Sequence, residues 1–303
     1  MDMTRKILFS LVCFLMAVLS VNAKSNSAAP ELKLKVEVDK EGYVGQPIEY
    51  RVCLISNTPN IQDVRPLREM SVTPQCQVIR GSVANQKPEI SETKGSKTYK
   101  WTVLRSFVIP GKAGKYEIAA GDFIAFIPVE RLVNDFFWGT RRIIDYEEIP
   151  LSCEKASFKV SALPKNTPEN FSDGVGEFSV EGWFPPGAIH LESPAIVVLK
   201  IEGYGNLENL KLPNVARSFV NGCSLQNIEQ NDAISQRNGS LYSEVTLTCT
   251  FIPHIDDGEI DPVSFIFFNP STKKFQTVSS KPLKWNSNQV RENKKKQYDA
   301  IEI

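Results

Sequence analysis

Apolar and polar residues alternate with a period of two over long stretches of this chain. "LKLKVEVDK" (32–40) does so, "IEYRVCLI" (48–55) repeats the pattern after the turn "GYVGQP", and "KTYKWTVLRSFVIP" (97–110) places Tyr99, Trp101 and Val103 on one face. Such alternation buries one side of a pleated strand and leaves the other in water. Pro110, Gly111 and Gly114 then stop the run in a turn. No segment sustains a helical period with caps at both ends. The pattern predicts an all-β chain of short strands joined by turns.

The strands fall into two similar sets. "FVIPGKAGKYEIAAGDFIAFIP" (107–128) is echoed by "TFIPHIDDGEIDPVSFIFFNP" (250–270), and "GQPIEYRVCLISNTPNIQDVRPL" (45–67) by "ESPAIVVLKIEGYGNLENLKLP" (192–213). A repeat of this length predicts two tandem immunoglobulin-like β-sandwich domains, residues 24–163 and 180–286. Between them 164–179, dense in Pro, Asn, Ser, Asp and Gly, reads as a linker. Residues 287–303 read as a polar tail.

The first residues place the chain in a compartment. Arg5 and Lys6 precede an apolar run, Ile7 to Leu19, that ends at the small-residue site Val21-Asn22-Ala23. This is the pattern of a secretory signal peptide (1–23), so a periplasmic or secreted mature protein is expected, with no transmembrane segment in it. Cys13 lacks the small residues before it that a lipoprotein site needs. Five cysteines remain after cleavage, Cys53, Cys76, Cys153, Cys223 and Cys249, with no CxxC pair among them. A zinc cage or thioredoxin-type site has no support, and the strand setting of Cys53 and Cys249 reads as small buried apolar residues. The formal net charge of +0 supplies no overall field for nucleic acid, so no nucleic-acid partner is expected.

Three motifs in order resemble the BatD family of bacterial aerotolerance proteins of the cell envelope. "NFSDGVGEFSVEG" (170–182) is similar to the family's Phe-Ser-x-x-Val-Gly-x-Phe segment, and "GYGNLENLKLPNV" (203–215) to its Gly-x-Gly-Asn-Leu-x-x-Leu-x-Leu-Pro. The third, "FIPHIDDGEIDPVSFIFFNPSTKKFQTVSSKPL" (251–283), is similar to its closing hairpin and aromatic strands. The resemblance implies successive immunoglobulin-like domains and a non-enzymatic role, binding or scaffolding membrane proteins that carry von Willebrand A domains. Family members commonly continue into a membrane helix, and none is expected here.

Catalytic and metal readings find little in the sequence. His190 and His254 are the two histidines, and a Cys–His pair would have to join His254 to Cys249 or Cys223. His254 sits five residues after Cys249, across a Pro at a strand end, and residues that far apart rarely present a nucleophile and base at hydrogen-bonding distance, so no catalytic residue is expected. The acidic run "HIDDGEID" (254–261) departs from EF-hand spacing and reads as a turn, so no metal is expected. "GYGNLENLKLP" lacks the Lys-Ser/Thr and the helix of a phosphate loop, and Gly203 and Gly205 read as positive-φ positions in a connection. No cofactor is expected.

"VNDFFWGTRR" (133–142) stands out, because alternation cannot bury three adjacent aromatics on one sheet face. The economical reading is a hairpin or loop inserted at 129–147, with Gly139 near its tip. Phe136, Phe137, Trp138, Arg141 and Arg142 are the candidate partner contact, since aromatics and Arg dominate interface hot spots. The alternative is a secreted β-sandwich that binds carbohydrate or another surface ligand.

Overall fold

The computed structural model describes residues 30–291 apart from 84–86, 94, 136–138, 209, 212–214 and 288–289. The expected signal peptide, the aromatic triplet Phe136, Phe137 and Trp138, and nearly all of the polar tail lie outside the described residues. In chain order the first half supplies β1 (Leu32–Val38), β2 (Glu41–Tyr43), β3 (Ile48–Ser56), β4 (Asp63–Pro66), β5 (Val72–Thr73), β6 (Gln77–Arg80), β7 (Glu89–Thr93), β8 (Ser96–Ile109), β9 (Gly114–Ile118), β10 (Gly121–Asp135), β11 (Gly139–Cys153) and β12 (Ala156–Ser161). The second half supplies β13 (Phe171–Trp183), β14 (Gly187–Ala188), β15 (Ala195–Asn206), β16 (Cys223–Arg237), β17 (Ser240–Pro253), β18 (Asp257–Ile260), β19 (Ser264–Asn269), β20 (Lys274–Ser279), β21 (Leu283–Asn286) and β22 (Val290–Arg291). Val215–Ser218 forms a 3-10 turn, and the described residues contain no α-helix. The chain is all-β.

Strand pairing repeats between the halves. β8 pairs with β3 and β3 with β1, as β17 pairs with β15 and β15 with β13. β9 then pairs with β12 and β10 with β11, as β18 pairs with β21 and β19 with β20. All of these pairs are antiparallel; β2–β12 and β13–β19 run parallel.

Each half gathers its own apolar cluster. In the first, Ile48, Tyr50, Val52 and Leu54 of β3 alternate inward and meet Tyr116, Ile118, Phe158 and Phe123 from β9, β12 and β10. In the second, Val197, Leu199 and Ile201 of β15 meet Phe178, Leu247, Phe251, Phe265, Phe267 and Trp285. Burying each of these large side chains contributes about 1.5–3 kcal/mol. Phe178 packs edge-on against both Phe265 and Phe267, with ring centroids 5.8 and 5.4 Å away, the arrangement favoured by the ring quadrupole.

The halves are also joined to each other. Phe107, Ile109 and Leu241 form a third buried cluster, with Ile79 against it, so β6 and β8 of the first half hold β17 of the second. Ser82 N–H donates to Gln236 Oε1 at 2.7 Å and Gln236 Nε2 donates back to Ser82 O at 3.4 Å. On the other side Tyr43 meets Phe268 edge-on at 4.9 Å, and Asn206 Nδ2 donates to Gly45 O. The described residues from Leu32 onward belong to one compact unit.

Two sequence expectations change here. Residues 171–179, read as linker, are the first nine residues of β13. Gly203 and Gly205 lie inside β15 rather than in a connection, and a positive φ is found at Gly205 (147°) and not at Gly203. Close approach explains Gly203, because a Cβ there would lie 2.0 Å from Glu177 O. Gly176 pairs directly with Gly205, and a Cβ on either would strike the facing backbone and the Phe178 ring. Two of the motifs that suggested a family are thus one structural feature, a bare stretch of backbone under Phe178.

Candidate functional site

β10 leaves the first core as a buried strand and ends as an exposed one. Phe123 and Ala125 are fully buried, and β4 pairs with residues 123–126. From Ile127 outward β10 and β11 continue alone, in unbroken register from Ile127↔Glu147 to Asp135↔Gly139. At roughly 3.3 Å per residue this paired stretch is about 30 Å long. The inserted hairpin expected at 129–147 is the outer part of this pair of strands.

Directly opposed residues share a face, so the register sorts the ribbon into two sides. Pro128, Tyr146, Glu130, Ile144, Leu132 and Arg142 lie on one; Val129, Asp145, Arg131, Ile143, Val133 and Arg141 lie on the other. The first side carries the most exposed apolar groups, with Leu132 68% exposed, Ile144 69% and Tyr146 46%; on the second side Ile143 is 37% exposed. Its ion pair, Arg142 Nη1 to Glu130 Oε2, spans 3.5 Å, and on the second side Arg131 Nη1 reaches Asp145 Oδ2 at 3.0 Å. Exposed pairs of this kind contribute no more than about 1 kcal/mol each. A two-stranded ribbon in water is marginal by itself, and three large apolar side chains on one face add nothing until something covers them.

Among the predicted contact residues, Arg141 and Arg142 are both exposed on β11, but they point to opposite faces. Phe136, Phe137 and Trp138 follow Asp135 in the sequence and lie outside the described residues. Sequence reasoning missed Leu132, Ile144 and Tyr146. Their signal was present in "ERLVND" and "RRIIDY", where apolar residues sit at strand spacing among charges, but facing depends on the register of the two arms.

The other candidates are now located. Cys53 and Cys249 are fully buried, Cys153 and Cys223 nearly so, Cys76 is half-buried, and all five are free thiols. Burial pushes the Cys249 thiol up to about 11; burial and the nearby Asp261 charge do the same for Cys223, so neither is a ready thiolate. His254 is bonded to Ser224 and Glu192, not to a thiol. In "HIDDGEID" a bend precedes β18, which covers 257–260, and Asp261 follows it. Its carboxylates diverge to separate partners: Asp256 to Ser287, Asp257 to Asn286, Glu259 to Lys284, and Asp261 to Asn221.

Among the described residues no helix is long and apolar enough to cross a membrane. No protein-family model matches the chain, and no curated protein matches it.

Proposed function

We propose that this chain is an exported cell-envelope protein of BatD type, cleaved after Ala23, built of two immunoglobulin-like sandwiches, and binding or scaffolding membrane-associated proteins through the β10–β11 ribbon. The observation that carries the reading is the exposed face of Leu132, Ile144 and Tyr146 on the outer part of the β10–β11 ribbon. Apolar and aromatic anchors beside Arg142 and Glu130 are the composition of an interface centre with a charged rim. The order of the three family-like motifs and the repeated strand pairing support the family, and von Willebrand A proteins are the partners it implies.

The test compares mature protein with a Leu132→Ser, Ile144→Ser, Tyr146→Ser variant as bait for native-cell membranes. Wild type should enrich von Willebrand A membrane proteins and the variant should lose them, with thermal unfolding unaltered. Equal recovery by both baits places the contact elsewhere.

A further inference from the structure

Three segments remote in sequence converge at the end of β17. His254 follows the last residue of that strand, and its backbone N–H donates to Gly222 O at 2.7 Å. Glu192 sits in the tight turn after His190, its N–H on Pro253 O at 2.9 Å. Ser224 lies on β16 opposite Ile252. Their side chains form a line: Ser224 Oγ is 3.0 Å from His254 Nε2, and His254 Nδ1 is 3.0 and 3.2 Å from the two oxygens of Glu192.

We propose that Ser224, His254 and Glu192 form a hydrolytic site for small acyl esters, an activity additional to the binding role above. The carboxylate accepts a hydrogen bond from Nδ1–H and so selects the tautomer whose Nε2 lone pair faces the Ser224 hydroxyl. Ser224 Oγ then attacks an ester carbonyl carbon while its proton passes to Nε2, and the carbonyl π pair moves onto oxygen. Collapse of that intermediate breaks the bond to the alcohol oxygen, which takes the proton from Nε2. Water repeats the sequence on the acyl-serine, releasing the carboxylic acid and restoring Ser224.

Two further features belong to the same site. β16 is bulged between Leu225 and Asn227, so Gln226 is the extra residue, and its Nε2 donates to Ser224 Oγ at 3.1 Å. Bulges re-aim side chains beside active sites, and a side-chain amide beside the nucleophile is near where the oxyanion forms, two bonds from Oγ. Glu192 holds φ at 54°, a left-handed conformation that a Glu adopts only under constraint from its surroundings. His254 and Glu192 are 44% and 64% exposed, so turnover should be slow.

The mature chain is treated with a fluorophosphonate probe and assayed with p-nitrophenyl acetate. Peptide mapping should find the adduct on Ser224, and Ser224→Ala or His254→Ala should lower kcat on the order of 10²-fold. Glu192→Gln, which removes a positioning residue, should lower kcat with KM retained. All three side chains are on the surface, and the adduct is read on unaltered protein, so a folding defect cannot imitate the result. No adduct on Ser224, or hydrolysis undiminished by Ser224→Ala, overturns the proposal.

Discussion

Two long hairpins leave the body of this molecule, and they end differently. β16–β17 turns at Asn238-Gly239 and is held by the other half of the chain: Leu241 enters the cluster of Phe107 and Ile109, Gln236 exchanges two hydrogen bonds with Ser82, and Gly239 lies against the Arg105 guanidinium. β10–β11 has strands of nearly the same length but leaves Leu132, Ile144 and Tyr146 in water. Its counterpart in the repeat, β19–β20, has no such extension; Asn269 faces Lys274 and the strands close at once. Asn269 builds that turn itself, its Oδ1 accepting from the N–H groups of Ser271 and Thr272. A hairpin that outgrows its sheet needs a partner for its apolar side. One finds it within the chain, and the other is free to find it on another molecule.

The sharpest way to break this contrast is to truncate one apolar residue from each hairpin. Leu241→Ala should cost about 2–5 kcal/mol and speed amide exchange along β16–β17, because it opens a cavity between the halves. Leu132→Ala should change stability by less than about 0.5 kcal/mol. Equal losses in denaturant titrations would show that the ribbon also packs on its own chain.

A smaller effect is expected at the turns. Asn238 and Gly239 have φ of 49° and 80°, the pair of positive values that a two-residue turn needs to match strand twist. Gly239→Ala should therefore cost about 1–2 kcal/mol, with the loss of protection concentrated in β16 and β17. Uniform loss across both halves would contradict local anchoring.

The smallest effect is electrostatic. Burial pushes the Glu202 carboxyl up, but hydrogen bonds from Lys200 and Tyr242 and the charges of Lys200 and Arg237 outweigh it and hold it below the usual carboxylate range. Lys200 Nζ also reaches Glu244 at 3.0 Å, and Arg237 reaches Glu244 at 3.3 Å, so the group ties β15 to the anchored hairpin. A depressed folded-state pKa adds stability above the unfolded value, and that stability is lost as pH falls through the folded one. Glu37, under Lys100, Arg51 and Lys35, has the same sign: burial raises it and those partners lower it further. Melting temperatures followed downward from pH 5 should fall less steeply in Glu202→Gln than in wild type. Parallel curves would remove the carboxylate from the account.

Strand content, turn positions and the place of the outer hairpin were legible in the residues alone, because alternation and turn chemistry act over a few neighbours. "VEVDK", "IEYRVCLI" and "VNDFFWGTRR" each carry their own local instruction. Facing and convergence were not legible. Whether Leu132 looks toward Arg142 or away depends on register, the opposition of Gly176 to Gly205 depends on how β13 lies on β15, and Ser224, His254 and Glu192 meet only because β16, β17 and the 190–193 turn end at one point. Ser224 and Glu192 stand 30 and 62 positions from His254, so period and composition determined the elements while the closed sheets decided which side chains share a site.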